Sequence, residues 1–478
     1  MITRILTGVL LSMTALAAFA VDFVPAYQQT DTIKTDPVTL PPYTTTTLSN
    51  GLKIYLVEQP KLPIVSMRVI IKAGSLNDPQ GQAGITDFTA GLLRKGVKYK
   101  GVDLSAPKIS QLVDSVGGYV GAGAGYTDIY AGAWGLSKHS DLLLDLLAAT
   151  VRNPTFPEQE IQRSKMQLIS GIIAKRDEPD DIGREVFKKV LYGNHPLAQP
   201  VEGDSASVAS FTRELVLAQW AKVAIPNNSV IAIVGDFDRQ TMLRKLNQLF
   251  GDWKKGEVPA AIPAAAPVVK GRNFRIVDKP DAVQTVVRLG HHGIPRNHPD
   301  YYPLMVMAQI LSNGDFDSRM MKTIRTEKGL TYGIGGRFQA ERFAGPYSIG
   351  TSTQTGRTEE MLKTIFEIIE EFRRNGPTDD EMMQAKMYMT GSYPLQFETP
   401  MDIGEQILDL DLLELPPKTI PEYRMRIAKV TKGDVIRVAG EYLHPDDLFI
   451  VLVGNKQEIL PQLDSFTKMN SSVESVKY

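Results

Sequence analysis

The 478-residue sequence predicts an α+β fold of two homologous halves, each a mixed, largely antiparallel sheet with helices packed on it. Three observations carry this reading. The first is an internal duplication. Glu160-Ile161-Gln162-Arg163-Ser164-Lys165-Met166 resembles Glu381-Met382-Met383-Gln384-Ala385-Lys386-Met387. Phe211-Thr212-Arg213, Ile225-Pro226-Asn227-Asn228 and the apolar run at 229–235 find counterparts in Val430-Thr431-Lys432, His444-Pro445-Asp446-Asp447 and 448–454. The offsets, 221 and 219, agree on one duplication, and a period that long means paired domains rather than a solenoid. The second observation is that hydrophobic spacing switches between strand and helix periods within each half. The third is a Pro- and Ala-rich stretch at 254–272, which reads as an extended linker between them.

In chain order, Met1–Ala20 has the form of a secretory signal: Arg4, an apolar Ile5–Ala17 and an Ala18-Phe19-Ala20 cleavage site. The alternative is a retained N-terminal anchor. A polar lead follows at 21–42, then a first half at 43–253, the linker, a second half at 273–460 and a polar tail at 461–478. Leu52–Glu58 and Ile64–Ala73 are β-rich, the second ending in a turn at Gly74 and Asn77-Asp78-Pro79. Ile85, Phe88, Leu92 and Leu93 recur at helical spacing, with Gly96 as the expected C-cap. The Gly- and Ala-rich stretch 119–136 is either a tightly packed strand pair or a sheet edge that receives a peptide backbone. Stretches 142–151, 160–174, 304–311 and 358–372 read as helices, and 231–234 and 449–453 as short buried strands.

Composition removes several classes of function. Hydrophobic residues at 43% and charged residues at 22% exclude wholesale disorder and fibres. A net charge of −1 gives no basic excess for nucleic acid and no polybasic membrane anchor. The absence of cysteine excludes disulfides, thiolate metal sites and cysteine nucleophiles, and with them a lipid-anchored mature N-terminus. Six histidines remain, of which His291, His292 and His298 are the one cluster in sequence. His298-Pro299-Asp300 fits a helix start, and the acidic 177–181 run fits the capping of a following helix better than calcium. No nucleophile elbow or phosphate-binding loop occurs.

The segment Ala73-Gly74-Ser75, Asp78-Pro79, Gly81-Gln82-Ala83-Gly84-Ile85, continuing through Phe88, Lys95-Gly96, Asn153-Pro154 and Glu160 to Val430-Thr431 and Pro445-Asp446, resembles the insulinase-like, processing-peptidase-like M16 metallopeptidases over nearly the whole mature chain. The resemblance implies a helix bearing an inverted zinc motif, His-x-x-Glu-His. Here the three corresponding positions hold Asp87, Ala90 and Gly91, and the family's third ligand, a glutamate, falls near Ser170-Gly171. One aspartate replaces neither two imidazoles nor the carboxylate base that activates water. The zinc site is therefore expected to be degenerate and this chain metal-free, with no cofactor of its own.

Arg325-Thr326-Glu327-Lys328-Gly329-Leu330-Thr331-Tyr332, with Gly314-Asp315-Phe316-Asp317-Ser318-Arg319 before it, looks like the M16 segment whose arginine and tyrosine bind peptide from the non-zinc half. A tyrosine hydroxyl donates to a carbonyl as it gains negative charge, and a guanidinium fixes peptide register. Gly329 is expected to end the Arg325 helix so that Tyr332 opens the next strand. The resemblance implies the non-zinc subunit of an exported, periplasmic heterodimer. Its partner would be a zinc-bearing His-x-x-Glu-His homologue and its substrate a peptide. The rival readings are a non-proteolytic scaffold and a stand-alone peptide-binding protein of the same fold.

Overall fold

The computed structural model describes residues 33, 35–260, 270–466 and 472–476. The expected signal and most of the lead lie outside the described residues, as do the centre of the linker and parts of the tail. Strands β1 (Tyr43–Thr47), β2 (Lys53–Glu58), β3 (Ile64–Ile71), β6 (Tyr119–Ala124), β7 (Ile129–Leu136) and β8 (Ser229–Gly235) form the first sheet, in the order β1-β2-β8-β3-β7-β6. A separate ribbon pairs β4 (Gly96–Tyr99) with β5 (Val102–Ser105). The second sheet contains β9 (Arg272–Asp278), β10 (Gln284–His292), β11 (Ile334–Phe338), β12 (Pro346–Gln354), β13 (Leu448–Gly454) and β14 (Ser472–Val476). Its order, β14-β9-β13-β10-β12-β11, repeats the first strand for strand. In both sheets one central pair is parallel, β2 with β8 and β9 with β13, and the pairs built on β3 and β10 are antiparallel. The α+β fold of two homologous halves is thus observed.

The outer strands differ. β1 runs antiparallel to β2, whereas the corresponding edge of β9 is taken by β14, running parallel, from the stretch expected to be a polar tail. Leu463 and Phe466 just before it are buried in the second core. Gly96 is another correction. It opens β4 instead of capping the helix, which ends at Leu92. Its Cα lies against Thr155 and Pro157, too close for any side chain. The helix at 304–311 is also not uniform. It runs Tyr301–Ala308 as α-helix and continues as a π-helical turn, Gln309–Asn313.

Strand β8 is buried at every residue, and β3 at all but two of its positions. Central strands with two apolar faces need a layer on each side. One face of the first sheet packs under helices of its own half, through Leu56, Met67, Phe88, Leu143 and Leu147 among others. The other is covered by the helix Pro400–Leu412 of the second half, with Ile403, Ile407, Leu408 and Leu412 against Tyr55, Val57, Ile70 and Val234. The exchange is reciprocal. The helix Pro179–Tyr192 of the first half lays Ile182, Val186, Phe187 and Leu191 on Val277, Val286, Val451 and Val453 of the second sheet. Full burial of each such side chain contributes roughly 1.5–3 kcal/mol.

The two exchanged helices share a sequence signature. Pro179-Asp180-Asp181-Ile182-Gly183 and Pro400-Met401-Asp402-Ile403-Gly404 are both Pro-x-Asp-Ile-Gly, 221 residues apart. Proline sits in the first turn of each, where its missing N–H costs nothing. The glycines meet the sheets. A Cβ on Gly183 would stand 3.3 Å from Val286 Cγ1 and from Arg288 Cγ, and one on Gly404 would stand 3.4 Å from Val234 Cγ2. Ion pairs follow the same symmetry: Arg288 of β10 binds Asp180 at 2.7 Å, and Arg68 of β3 binds Glu405.

Asp411 closes the second exchange. Its carboxylate pairs with both Lys53 and Lys72 and accepts from the Tyr55 hydroxyl at 2.8 Å, with only 6% of its side chain exposed. Replacing it by alanine leaves two lysines facing one another without a counter-ion. Both lysines reach solvent, so the expected loss is about 2 kcal/mol rather than the full cost of a buried orphan charge. Urea unfolding of the Asp411→Ala protein should show a correspondingly lower midpoint with an unchanged slope.

Candidate functional site

The helix Ile85–Leu92 is positioned by the turn before it. Asp78 accepts from the Gly84 amide at 2.7 Å and from the amide and hydroxyl of Thr86 at 3.1 and 2.5 Å. The Thr86 hydroxyl accepts in turn from Gln219 at 2.7 Å. Gly84 is held at φ +90°, with the backbone of Glu202 where a Cβ would be. On this helix Asp87, Ala90 and Gly91 share one face, as i, i+3 and i+4 positions must. Ala90 is fully buried, and Gly91 is exposed beside open space. Ser170 and Gly171 are exposed on the helix Glu158–Lys175. A buried methyl, a hydrogen and one carboxylate do not fit a zinc ion, and no step in this chain is assigned to one. Among the described residues no group of three or more His, Asp or Glu side chains is placed to hold a metal.

The half-buried Asp87 is electrostatically uncomfortable. Burial, with the carboxylates of Glu202 and Asp78 nearby, pushes it up to about 6; the nearby backbone of Ala124 and the ammonium of Lys175 pull the other way. Lys175 is ion-paired to Glu202. The helix on which the resemblance placed a third metal ligand thus ends in a cation directed at this carboxylate pair.

Of the histidines expected to cluster, His291 is buried against Tyr347, Phe338 and the distant His444, with its Nδ1 2.8 Å from the His292 carbonyl oxygen. His298 instead accepts from the amide of Asp300, which precedes the helix Tyr301–Ala308 and is bound by Arg437 and Tyr442. The acidic run is the start of the exchanged helix, with Asp180 and Asp181 both paired to Arg184.

Arg325 and Tyr332 are brought together. Arg325 lies in a π-helical segment, Met321–Glu327, and Gly329 at φ +57° reverses the chain after it. Tyr332 is not in a strand but two residues ahead of β11. The loop around it is pinned: Thr351 Oγ1 donates to the Gly333 carbonyl at 2.9 Å and lies 3.0 Å from the Thr331 hydroxyl. The backbone is thereby fixed while the Tyr332 side chain is 88% exposed. The Arg325 guanidinium carbon lies 4.8 Å from the centre of the Tyr332 ring and 4.5 Å from that of Phe316, which is itself 61% exposed. A cation against two aromatic rings is held in place by both. A cavity of about 180 Å³ opens beside Phe316, lined among others by Gln309, Asp317, Gln384 and Tyr388. Phe316 was missed in the sequence reading; an aromatic side chain inside the polar Gly-Asp-Phe-Asp stretch was the available signal.

Comparison with known proteins decides the family. Residues 53–205 match the model described as Insulinase (Peptidase family M16), and residues 210–389 the one described as Peptidase M16 inactive domain. A crystal structure of a peptidase M16 inactive domain from Pseudomonas fluorescens superposes with TM-score 0.80 at 30% identity, covering 87% of this chain and 98% of that one. The chain belongs to the M16 peptidase family. Among curated M16-like relatives, the Bacillus subtilis protein named uncharacterized zinc protease YmxG is 28% identical over 74% of this chain and 84% of its own. A Rickettsia felis protein named uncharacterized zinc protease is 27% identical over 82% and 93%. The fold also matches a chain of complex III from Candida albicans, at TM-score 0.70 and 18% identity over 89% of this chain and 98% of that one.

The strain on Asp87 sets a pH dependence. Its folded value, about 6, lies above the ordinary 3.8, so the folded state binds the extra proton between them. The stability this gives is full below 3.8 and lost as pH rises through about 6. At pH near 7.5 the Asp87→Asn protein should therefore be more stable than wild type by about 1 kcal/mol. The advantage should vanish near pH 4, as read by urea midpoints across the range.

Proposed function

We propose that this protein is the non-zinc subunit of a two-chain M16 metallopeptidase, exported by its N-terminal signal and acting in the periplasm. The observation that carries the reading is the Arg325–Tyr332 pair, a guanidinium 4.8 Å from the centre of an exposed ring, in a chain whose described residues include no metal-ligand set. The partner supplies the zinc and the water-activating base. This chain supplies two donors. The Tyr332 hydroxyl donates to the scissile carbonyl oxygen as charge develops on it, an interaction strongest in the transition state. The Arg325 guanidinium binds a neighbouring peptide carbonyl in ground and transition states alike. The adjacent cavity at Phe316 takes a side chain of the same peptide.

Purification from the native host tests the pairing: a zinc-bearing M16 homologue should accompany the chain, and all tightly held zinc should belong to that homologue. In the reconstituted pair, Tyr332→Phe should lower peptide turnover by ~10²-fold with a smaller effect on KM. Arg325→Ala should raise KM as well as slow turnover, and neither should disturb assembly on size-exclusion chromatography. Full activity in both assembled variants would reassign the chain as a scaffold.

A further inference from the structure

Strand β12 runs on to Gln354, but its outer neighbour β11 begins only at Ile334, opposite Thr351. Ahead of that point the chain is joined to β12 by side chains instead of a backbone ladder. Thr351 Oγ1 donates to the Gly333 carbonyl at 2.9 Å, and Thr353 Oγ1 donates to the Leu330 carbonyl at 2.8 Å. The Gly333 amide donates to the Thr331 hydroxyl at 3.2 Å, which lies 3.0 Å from that of Thr351. Thr351 and Thr353 are both buried, so water competes weakly for these bonds. Tyr332 stands between the two tied carbonyls. Its exposed side chain is not embedded in a core, so its place follows from the backbone beneath it.

The duplication supplies an internal comparison. Arg68 of β3 lies opposite Gly132 and Ala232, and its counterpart Arg288 of β10 lies opposite Gly350 and Val451. That register sets Thr351 against Ala133 and Thr353 against Gly135 of β7. The first half has neither hydroxyl, and there β6 stays on the ladder one residue further, with Tyr119 opposite Trp134. The equivalent residues, Gly333 and Ser352, are off the ladder. One half thus builds the same sheet without the two threonines. The half that bears Arg325 and Tyr332 has them.

We propose that Thr351 and Thr353 are positioning residues, which clamp the loop 330–333 so that the Tyr332 hydroxyl is held beside Arg325 before substrate arrives. The inference rests on the reading of Tyr332 as a donor to the scissile carbonyl. A donor aimed in advance needs no reordering as charge develops on that oxygen, whereas one on a loose loop must be ordered in every turnover. Both threonines are buried, so they act through Tyr332 and not on the peptide. The clamp therefore bears on turnover more than on substrate affinity.

The experiment compares wild type, Thr351→Val, the Thr351→Val/Thr353→Val pair, the Thr351→Ser/Thr353→Ser pair and Tyr332→Phe. On the mature chain alone, amide exchange over 330–334 should speed by about tenfold or more in the valine pair and stay near wild type in the serine pair, which keeps both hydroxyls. In the heterodimer reconstituted with the zinc-bearing homologue, the valine pair should lower kcat by about tenfold with KM within about twofold, and the serine pair should restore most of that loss. Added to Tyr332→Phe, the valine pair should lower turnover hardly further, because the hydroxyl it positions is gone. The isosteric Thr351→Val carries the test should the double change unfold the chain. Unchanged exchange in the folded valine variants overturns the proposal, and so does an equal fall in turnover with and without the Tyr332 hydroxyl. Full activity of Tyr332→Phe would overturn the parent reading instead, while exchange on the chain alone would still show whether the threonines fix the loop.

Discussion

The helices Pro179–Tyr192 and Pro400–Leu412 are what each half lends to the other, and the molecule is organised around that exchange. Each sheet has two apolar faces in its central strands, and the helices of one half cover only one of them. The second face is closed across the pseudo-twofold, by apolar side chains and by paired charges at Arg68, Arg288 and Asp411. The halves are homologous but not independent. Removing either from the other would expose a sheet face of the kind that drives aggregation.

This interlock fixes the two halves with respect to one another and lets their sites diverge. In the second half, the helix that corresponds to Ile85–Leu92 is packed with Met307, Ile310 and Leu311, and its site is a surface one made of Arg325, Tyr332 and Phe316. In the first half the same element carries Asp87, pushed up by burial, and Gly91 beside open space. Polar residues that gain nothing for stability persist there, which is where a fold that once shared a single plan departs most from a packed core.

Much of this was legible in the sequence. The duplication announced itself through short matches at one offset, and strands such as β2, β3, β8 and β13 follow from apolar runs of the right length. The missing metal ligands are a matter of residue identity and need no coordinates. What could not be read depends on contacts between distant segments. Gly96 looked like a helix cap, because a glycine after an apolar helix usually is one; its real constraint is the proximity of Thr155 and Pro157. The polar tail carried no strand signal because β14 borrows its order from pairing with β9.

The sequence by itself determined the two-half plan, the family and the chemistry that this chain lacks, since those rest on periodicity, repetition and the presence or absence of particular side chains. Pro-x-Asp-Ile-Gly was there twice as well, but a helix pattern says only that one face is apolar and not which sheet it will meet. Tertiary structure decided that each of these helices crosses to the opposite half. It also decided that Arg325 lies against two exposed rings and that Arg94 bonds to the Val120 carbonyl of β6. These are distances between residues remote in the chain, and local propensity carries no information about them.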